Sequence, residues 1–377
     1  MARFGFLSTY PPTRCGLATF TDALARALVA DGRDQALIVR VDDLVPTGPS
    51  TPAPGIQVAG DLHPDDGIGR SHAAALLNET DLVIVQHEFG IYGGPDGDEI
   101  IDVLERILPT RVIVLHTVPT DPTPHQRAVL SRILDLADRV VVMTRAAEAI
   151  LATQYAAPST KVTLIPHGVQ ARPVAAPPPQ SGRPLMLTWG LIGPGKGIEW
   201  GIRAIGCLQP DQRPLYRVLG QTHPKVVQQQ GEQYRRDLLN LADTLGVAGD
   251  VVLDGRYQEP GDLATEIAAA ALVLLPYDSH EQVTSGVLAE AVAAGRIVVA
   301  TRFPHAVELL SGGGGLLVDH KRPLDMAKAI RVALTDPGYA SSARRMADEL
   351  AHANSWENVA GRFRELLTGG RLERVGP

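Results

Sequence analysis

Two segments combine glycine, hydroxyl and charged residues at spacings suited to holding an anion. The first is Thr188-Trp189-Gly190-Leu191-Ile192-Gly193-Pro194-Gly195-Lys196-Gly197-Ile198-Glu199. An apolar run ends in a glycine-rich turn with one lysine, and a helical pattern starts near Ile198. Glycine lets backbone approach a ligand closely, a helix N-terminus presents unpaired N–H groups, and lysine adds a point charge. Gly195 and Lys196 therefore suit a diphosphate. The Gly-Lys-Ser/Thr ending of a Walker A loop is absent. The competing reading is a plain βα turn with a solvated lysine.

The second segment is Gln282-Val283-Thr284-Ser285-Gly286-Val287-Leu288-Ala289-Glu290-Ala291-Val292-Ala293-Ala294-Gly295. Thr284-Ser285-Gly286 opens a helix whose first N–H groups, through Val287, lack intrahelical partners and suit phosphate. Gln282 and Glu290 stand about two helical turns apart, one before the helix and one along it. Glu290 lies in an otherwise apolar helix, and a carboxylate on a buried face needs a partner such as a ribose diol. The bland alternative is an exposed glutamate on an alanine-rich helix.

In the first half, Tyr10 to Leu17 (YPPTRCGL) links a first strand to a first helix, with Gly16 at the junction. Gln86-His87-Glu88-Phe89-Gly90-Ile91-Tyr92-Gly93-Gly94 follows another strand. Polar, aromatic and glycine residues at a strand's carboxyl end suit an acceptor site. His87 and Glu88 would hydrogen-bond hydroxyls there, and Tyr92 would stack on a sugar ring. His116 ends the next strand. Asp96-Gly97-Asp98 has the D-x-D form of a metal motif but lies in a polar loop, which favours a solvated turn.

These residues need a scaffold. Short β-branched runs alternate with helical patterns: Ala2–Leu7, Ala36–Val41, Leu82–Gln86, Arg111–His116, Arg139–Met143 and Val162–Ile165. Each is apolar throughout, as in a parallel sheet covered on both faces. The stretch 171–184 (ARPVAAPPPQSGRP) then breaks all periodicity and reads as a linker. Alternation resumes with Leu185–Trp189, Leu215–Leu219, Val251–Leu253, Leu272–Pro276, Ile297–Ala300 and Gly315–Val318. The expectation is an α/β protein of two Rossmann-like doubly wound domains facing across a cleft. Their boundaries fall at 1–172, a linker at 173–184, 185–355, and a final helix at 356–377 that crosses back to the first domain.

The order of a Gly-Lys-Gly turn, a Gly-Arg-Tyr segment (Gly255 to Tyr257) and a Glu-Ala-x-Ala-Ala-Gly helix resembles the retaining glycosyltransferases of family 4. GLIGPGKGIE and QVTSGVLAEAVAAG look like one bacterial subgroup of it, and the resemblance covers nearly the whole chain. It implies the GT-B fold, no metal requirement and transfer with retention at the anomeric carbon. Lys196 would hold the donor diphosphate, Ser285 and Gly286 would bind phosphate through backbone N–H groups, and Glu290 would bind ribose. Arg256 and Tyr257 would border the nucleobase. Gly16 would approach donor phosphate, and His116 would sit near the reacting sugar.

Two positions depart from the pattern. Gln282 stands where the family has an acidic residue, although a carboxamide still bonds sugar hydroxyls as donor and acceptor. Leu191-Ile192 replace the turn's arginine, so further positive charge would come from Arg256, Arg302 or Arg14. The resemblance favours GDP-mannose as donor, ahead of UDP- or ADP-hexoses. The acceptor would be a carbohydrate, a polyol or a lipid-linked sugar. No cofactor is expected beyond the nucleotide sugar as co-substrate.

Bulk properties narrow the field. At 377 residues the chain suits two domains, and its net charge of -7 argues against nucleic acid as main partner. Cys15 and Cys207 form no metal-spaced pair, so a reducing cytoplasm is the default compartment. No apolar run reaches the length of a membrane span, which leaves only peripheral membrane contact open. The rival readings are a non-catalytic or pseudo-glycosidic GT-B protein and a nucleotide-sugar 2-epimerase. An NAD-dependent dehydrogenase fits worse, because no G-x-G-x-x-G follows the first strand.

Overall fold

A computed structural model describes residues 1–41, 51–170 and 182–369. Residues 173–181 of the expected linker lie outside that range. The chain forms two compact units. The first spans Met1–Gly168 and takes up the chain again from Asn354; the second is Val169–Ala353.

The first unit carries β1 (Arg3–Ser8), β2 (Gln35–Val41), β3 (Ile56–Leu62), β4 (Leu82–His87), β5 (Thr110–Leu115), β6 (Arg139–Val142) and β7 (Val162–Leu164). Between them lie α1 (Gly16–Val29), α2 (Gly67–Leu77), α3 (Ile100–Leu104), α4 (Pro124–Leu136) and α5 (Arg145–Gln154). The sheet is parallel, in the order β3-β2-β1-β4-β5-β6-β7. Its apolar runs are buried on both faces: Phe4, Phe6, Ile38, Ile84 and Val114 form one core with Phe20, Leu24 and Leu28 of α1. Local chemistry starts the helices where the strands end. Thr123 and Gln126 close a reciprocal capping box with Pro124 in the first turn of α4.

The second unit repeats the pattern with β8 (Leu185–Trp189), β9 (Leu215–Leu219), β10 (Val251–Asp254), β11 (Leu272–Leu275), β12 (Ile297–Thr301) and β13 (Gly315–Val318). Its helices are α6 (Ile198–Gly206), α7 (Pro224–Gln230), α8 (Gln233–Thr244), α9 (Pro260–Ala269), α10 (Gly286–Ala293), α11 (Pro304–Leu310), α12 (Pro323–Thr335) and α13 (Pro337–Ala353). The order is β10-β9-β8-β11-β12-β13, again parallel.

The last helix, α14 (Trp356–Gly369), belongs to the first unit. Its buried face, Val359, Ala360, Phe363 and Leu366, joins the core beside α1. Arg364 bonds the Asp34 carboxylate and the Leu28 carbonyl.

Each sheet reverses its strand order once, at β1/β4 and at β8/β11. Diverging helices leave a crevice at the carboxyl ends of the strands at such a point, where ligands of open α/β sheets sit. The loops after β4, β8 and β11 carry Glu88, Lys196 and Gln282, and the loop after β1 leads straight into Gly16 at the start of α1, while His116 follows β5 and Arg256 and Tyr257 follow β10.

Candidate functional site

In the second unit, β8 runs into the glycine-rich turn. Gly190 continues the sheet through its N–H to the Leu219 carbonyl at 3.0 Å, and Ile192 donates to Gln221 O at 2.8 Å. Gly197 has φ of 63° and caps α6; a Cβ there would lie 1.9 Å from the Pro276 carbonyl. Only glycine lets the turn lie this close to the end of β11. Gly195 is different: its φ is 89°, and a Cβ would meet nothing within 4 Å. Its carbonyl accepts the Asp278 N–H at 2.9 Å, which fastens the turn to the loop after β11. Lys196 rests its ammonium 4.5 Å above the ring of Tyr277, and among the described residues no carboxylate pairs with it. A half-buried cation held over an aromatic face and left without a counter-charge is set to take an anion.

The opposite side of the same crevice is α10. Ser285 caps it, its hydroxyl accepting the Leu288 N–H at 3.2 Å. The backbone N–H of Ser285 is already spent: it donates to Nδ1 of the buried His305 at 2.8 Å. This corrects the expectation that Ser285 binds phosphate through its main chain. The first-turn N–H groups of Gly286 and Val287 carry no hydrogen bond among the described residues. Like Lys196, they lie at the carboxyl edge of the sheet, on the segments that follow β8 and β11.

Gln282 folds its carboxamide onto its own loop, Nε2 donating to the Thr284 carbonyl. Thr284 is buried, with its hydroxyl lacking a partner. Glu290 is half-buried on α10 and has a partner of its own. Arg256 is exposed and folds onto Asp254, whose carboxyl it holds down at about 2, mainly through that side-chain bond. Tyr257 is half-buried beside it. Arg302 pairs with Asp319 on the surface. A different arginine reaches the carboxyl edge of the sheet: Arg235 of α8 donates to Gly220 O at 2.7 Å, and its buried NH1 has no partner. Nothing in its helical surroundings marked it in the sequence.

In the first unit, Gly16 starts α1 just after the Cys15 cap, and a Cβ there would enter open space. His87 ends β4 fully buried, neither ring nitrogen has a partner, and burial pushes its pKa down to about 4. Glu88 accepts from Thr117 Oγ1 at 2.6 Å and from the Phe89 N–H at 3.1 Å. His116 donates from Nε2 to Gln86 Oε1 at 2.6 Å; burial first, then neighbouring His167 and His87, lower its pKa to about 3. Tyr92 corrects a second expectation. Its ring is 6% exposed and its hydroxyl points at the Gln86 and Leu7 carbonyls, so it braces the loop and offers no face to a sugar. Asp96, in the D-x-D stretch, bonds His125 and Gln126. Among the described residues no group of three or more His, Cys, Asp or Glu is placed to hold a metal ion.

Two Rossmann-like parallel sheets with their loops on the carboxyl edges define a two-domain GT-B fold. Residues 183–336 match the family described as "Glycosyl transferases group 1". The chain is 29% identical over 259 residues to a D-inositol 3-phosphate glycosyltransferase of Thermobispora bispora, covering 65% of this chain and 58% of that one. It thus spans less than two thirds of the length of the curated relatives it matches. Among solved structures, sucrose-phosphate synthase from Thermosynechococcus elongatus superposes with a TM-score of 0.75 at 19% identity, over 98% of this chain and 99% of that one. Anabaena HepE in complex with UDP and glucose gives 0.76 at 16% identity, over 98% and 100%. No helix among the described residues is long and apolar enough to cross a membrane.

Proposed function

We propose that this protein is a retaining glycosyltransferase that moves a hexosyl group from a nucleoside diphosphate hexose to an acceptor hydroxyl. The observation that carries this reading is a Lys196 ammonium with no carboxylate partner among the described residues, on the loop after β8, together with a helix after β11 whose first-turn N–H groups at Gly286 and Val287 carry no hydrogen bond among the described residues. Such an arrangement stabilises the charge that grows on the β-phosphate as it leaves. The bond between the anomeric carbon and the β-phosphate oxygen breaks while the acceptor oxygen bonds to the same carbon. The acceptor proton passes to the departing phosphate oxygen, so atoms and charge balance without a protein nucleophile. Glu290 would hold the ribose, Arg256 and Tyr257 would border the base, and Gln282 would contact the donor sugar. Of the first unit, Glu88 and His116 would contact the acceptor, whereas His87, 1% exposed, is buried too deeply to reach it.

The similarity to D-inositol 3-phosphate glycosyltransferases and to a structure holding UDP and glucose supports a phosphorylated-sugar chemistry of this class. GDP-mannose and UDP-glucose are the donors to compare first. The test is a thermal-shift screen of UDP, GDP, ADP and their hexose conjugates, followed by transfer assays with the stabilising donor. Stabilisation by one nucleoside diphosphate is expected, because ligand binding to the folded state raises the melting temperature. Stabilisation by NAD alone, or by no nucleotide, would overturn the reading.

A further inference from the structure

His305 lies twenty residues beyond Ser285, in the first turn of α11, and is 7% exposed. Its ring accepts the Ser285 N–H at Nδ1, 2.8 Å away. Its own backbone N–H donates to the Gln282 carbonyl at 3.3 Å. The stretch 282–285 is therefore held from one residue at both ends. An imidazole that accepts at Nδ1 carries its proton at Nε2, so the ring is locked in one neutral tautomer.

The position of that clamp matters more than its strength. Gln282 to Ser285 is irregular backbone that sets where α10 begins and which way the Gly286 and Val287 N–H groups point. Within the stretch, Gln282 Nε2 donates to Thr284 O and the Leu288 N–H donates to Ser285 Oγ. His305 ties the stretch to α11. It also takes up the N–H that a bound phosphate would otherwise compete for.

We infer that His305 is a positioning residue for the anion site. Its Nδ1 removes Ser285 from the set of phosphate donors and fixes the direction of the two N–H groups that remain. This inference rests on the proposed donor site and deepens it. It predicts a requirement for an acceptor at the δ position of residue 305, not for a charge or a catalytic acid.

The experiment compares His305→Asn, whose Oδ1 falls near the place of Nδ1, with His305→Leu, which keeps bulk but accepts nothing. Amide hydrogen exchange of the peptide spanning 282–288 is followed in the free protein, and UDP and GDP affinities and transfer kinetics are measured alongside. Expected is faster exchange in His305→Leu with near-native exchange in His305→Asn. Donor KM and nucleotide Kd should rise roughly tenfold in His305→Leu, as one N–H goes unsatisfied and the loop loosens, with kcat changed far less. His305→Asn should stay within about threefold of wild type on the same scale. Equal exchange and affinity in His305→Leu and wild type would overturn the inference. So would a folded His305→Asn as weak as His305→Leu. If His305→Leu fails to fold, His305→Gln, with its acceptor displaced to the ε position, replaces it under the same expectations. Exchange reads the clamp without any ligand, so a wild-type protein that bound no nucleotide would sink the proposed function while leaving the clamp separately tested.

Discussion

The ammonium of Lys196 stands 4.5 Å above the ring centroid of Tyr277, although the two residues leave different strands of one sheet. The Asp278 N–H to Gly195 O bond runs beside that contact, so backbone and side chain fasten the same two loops. The ring thus holds the ammonium in place within the fold, and a side chain ordered in advance costs less to fix if an anion binds it.

Lys196→Ala should lower kcat/KM by about a hundredfold or more, the usual loss when one donor to a developing oxyanion is removed. The melting temperature should stay near the wild-type value, because the ammonium has no ion pair to lose. Steady-state kinetics and a thermal melt check both; wild-type turnover would remove Lys196 from the site.

Ser285→Ala separates the cap from the phosphate contacts. Loss of the hydroxyl leaves the Leu288 N–H unpaired and should cost about 1 kcal/mol in denaturant unfolding. Gly286→Pro does the reverse. Proline suits the first position of a helix, and Ser285 already has the extended φ of -139° that a following proline requires. Stability should hold while nucleoside diphosphate affinity drops roughly tenfold with the missing N–H.

Gly197→Ala and Gly195→Ala should diverge. Both adopt positive φ, but only at Gly197 would the methyl strike a carbonyl, that of Pro276. Backbone strain alone costs roughly 1–3 kcal/mol, so Gly195→Ala should lose about that much and Gly197→Ala clearly more. Chemical denaturation of the two variants decides the order.

Acid should unfold the first unit early. His87 and His167 titrate near 4 and His116 near 3, all lowered chiefly by burial from the ordinary 6.5. Between 6.5 and those values the unfolded chain binds more protons, so stability is full above about pH 6.5 and falls progressively from there down to about 4 for His87 and His167 and about 3 for His116. His87→Leu should flatten that slope. It should not lower the melting temperature at pH 7, since it removes two unpaired buried nitrogens. Melts from pH 7 to 4 read both effects.

The strands other than β3 were legible because their residues are apolar on both faces. Ile56–Leu62 escaped notice: it is an edge strand, half-exposed, with Gly60 and Asp61 interrupting any pattern. The glycine-rich turn was legible for a local reason, since glycines, lysine and helix start are contiguous. The clamp on Ser285 was not, because His305 belongs to another helix and no periodicity connects them. Tyr92 misled in the same way. Its aromatic type suggested a platform, while its role is set by the Leu7 carbonyl, eighty-five residues away.

Val359, Ala360, Phe363 and Leu366 complete the core beside α1, yet a ribosome translates them after the whole of Val169–Ala353. At about 5–20 residues per second, the apolar flank of α1 waits on the order of ten seconds or longer for its cover. The second unit can finish folding while the first is still open, reversing the usual N-to-C order of domain completion. A nascent chain stalled before Trp356 would therefore expose the first unit, and not the second, to chaperones and proteases.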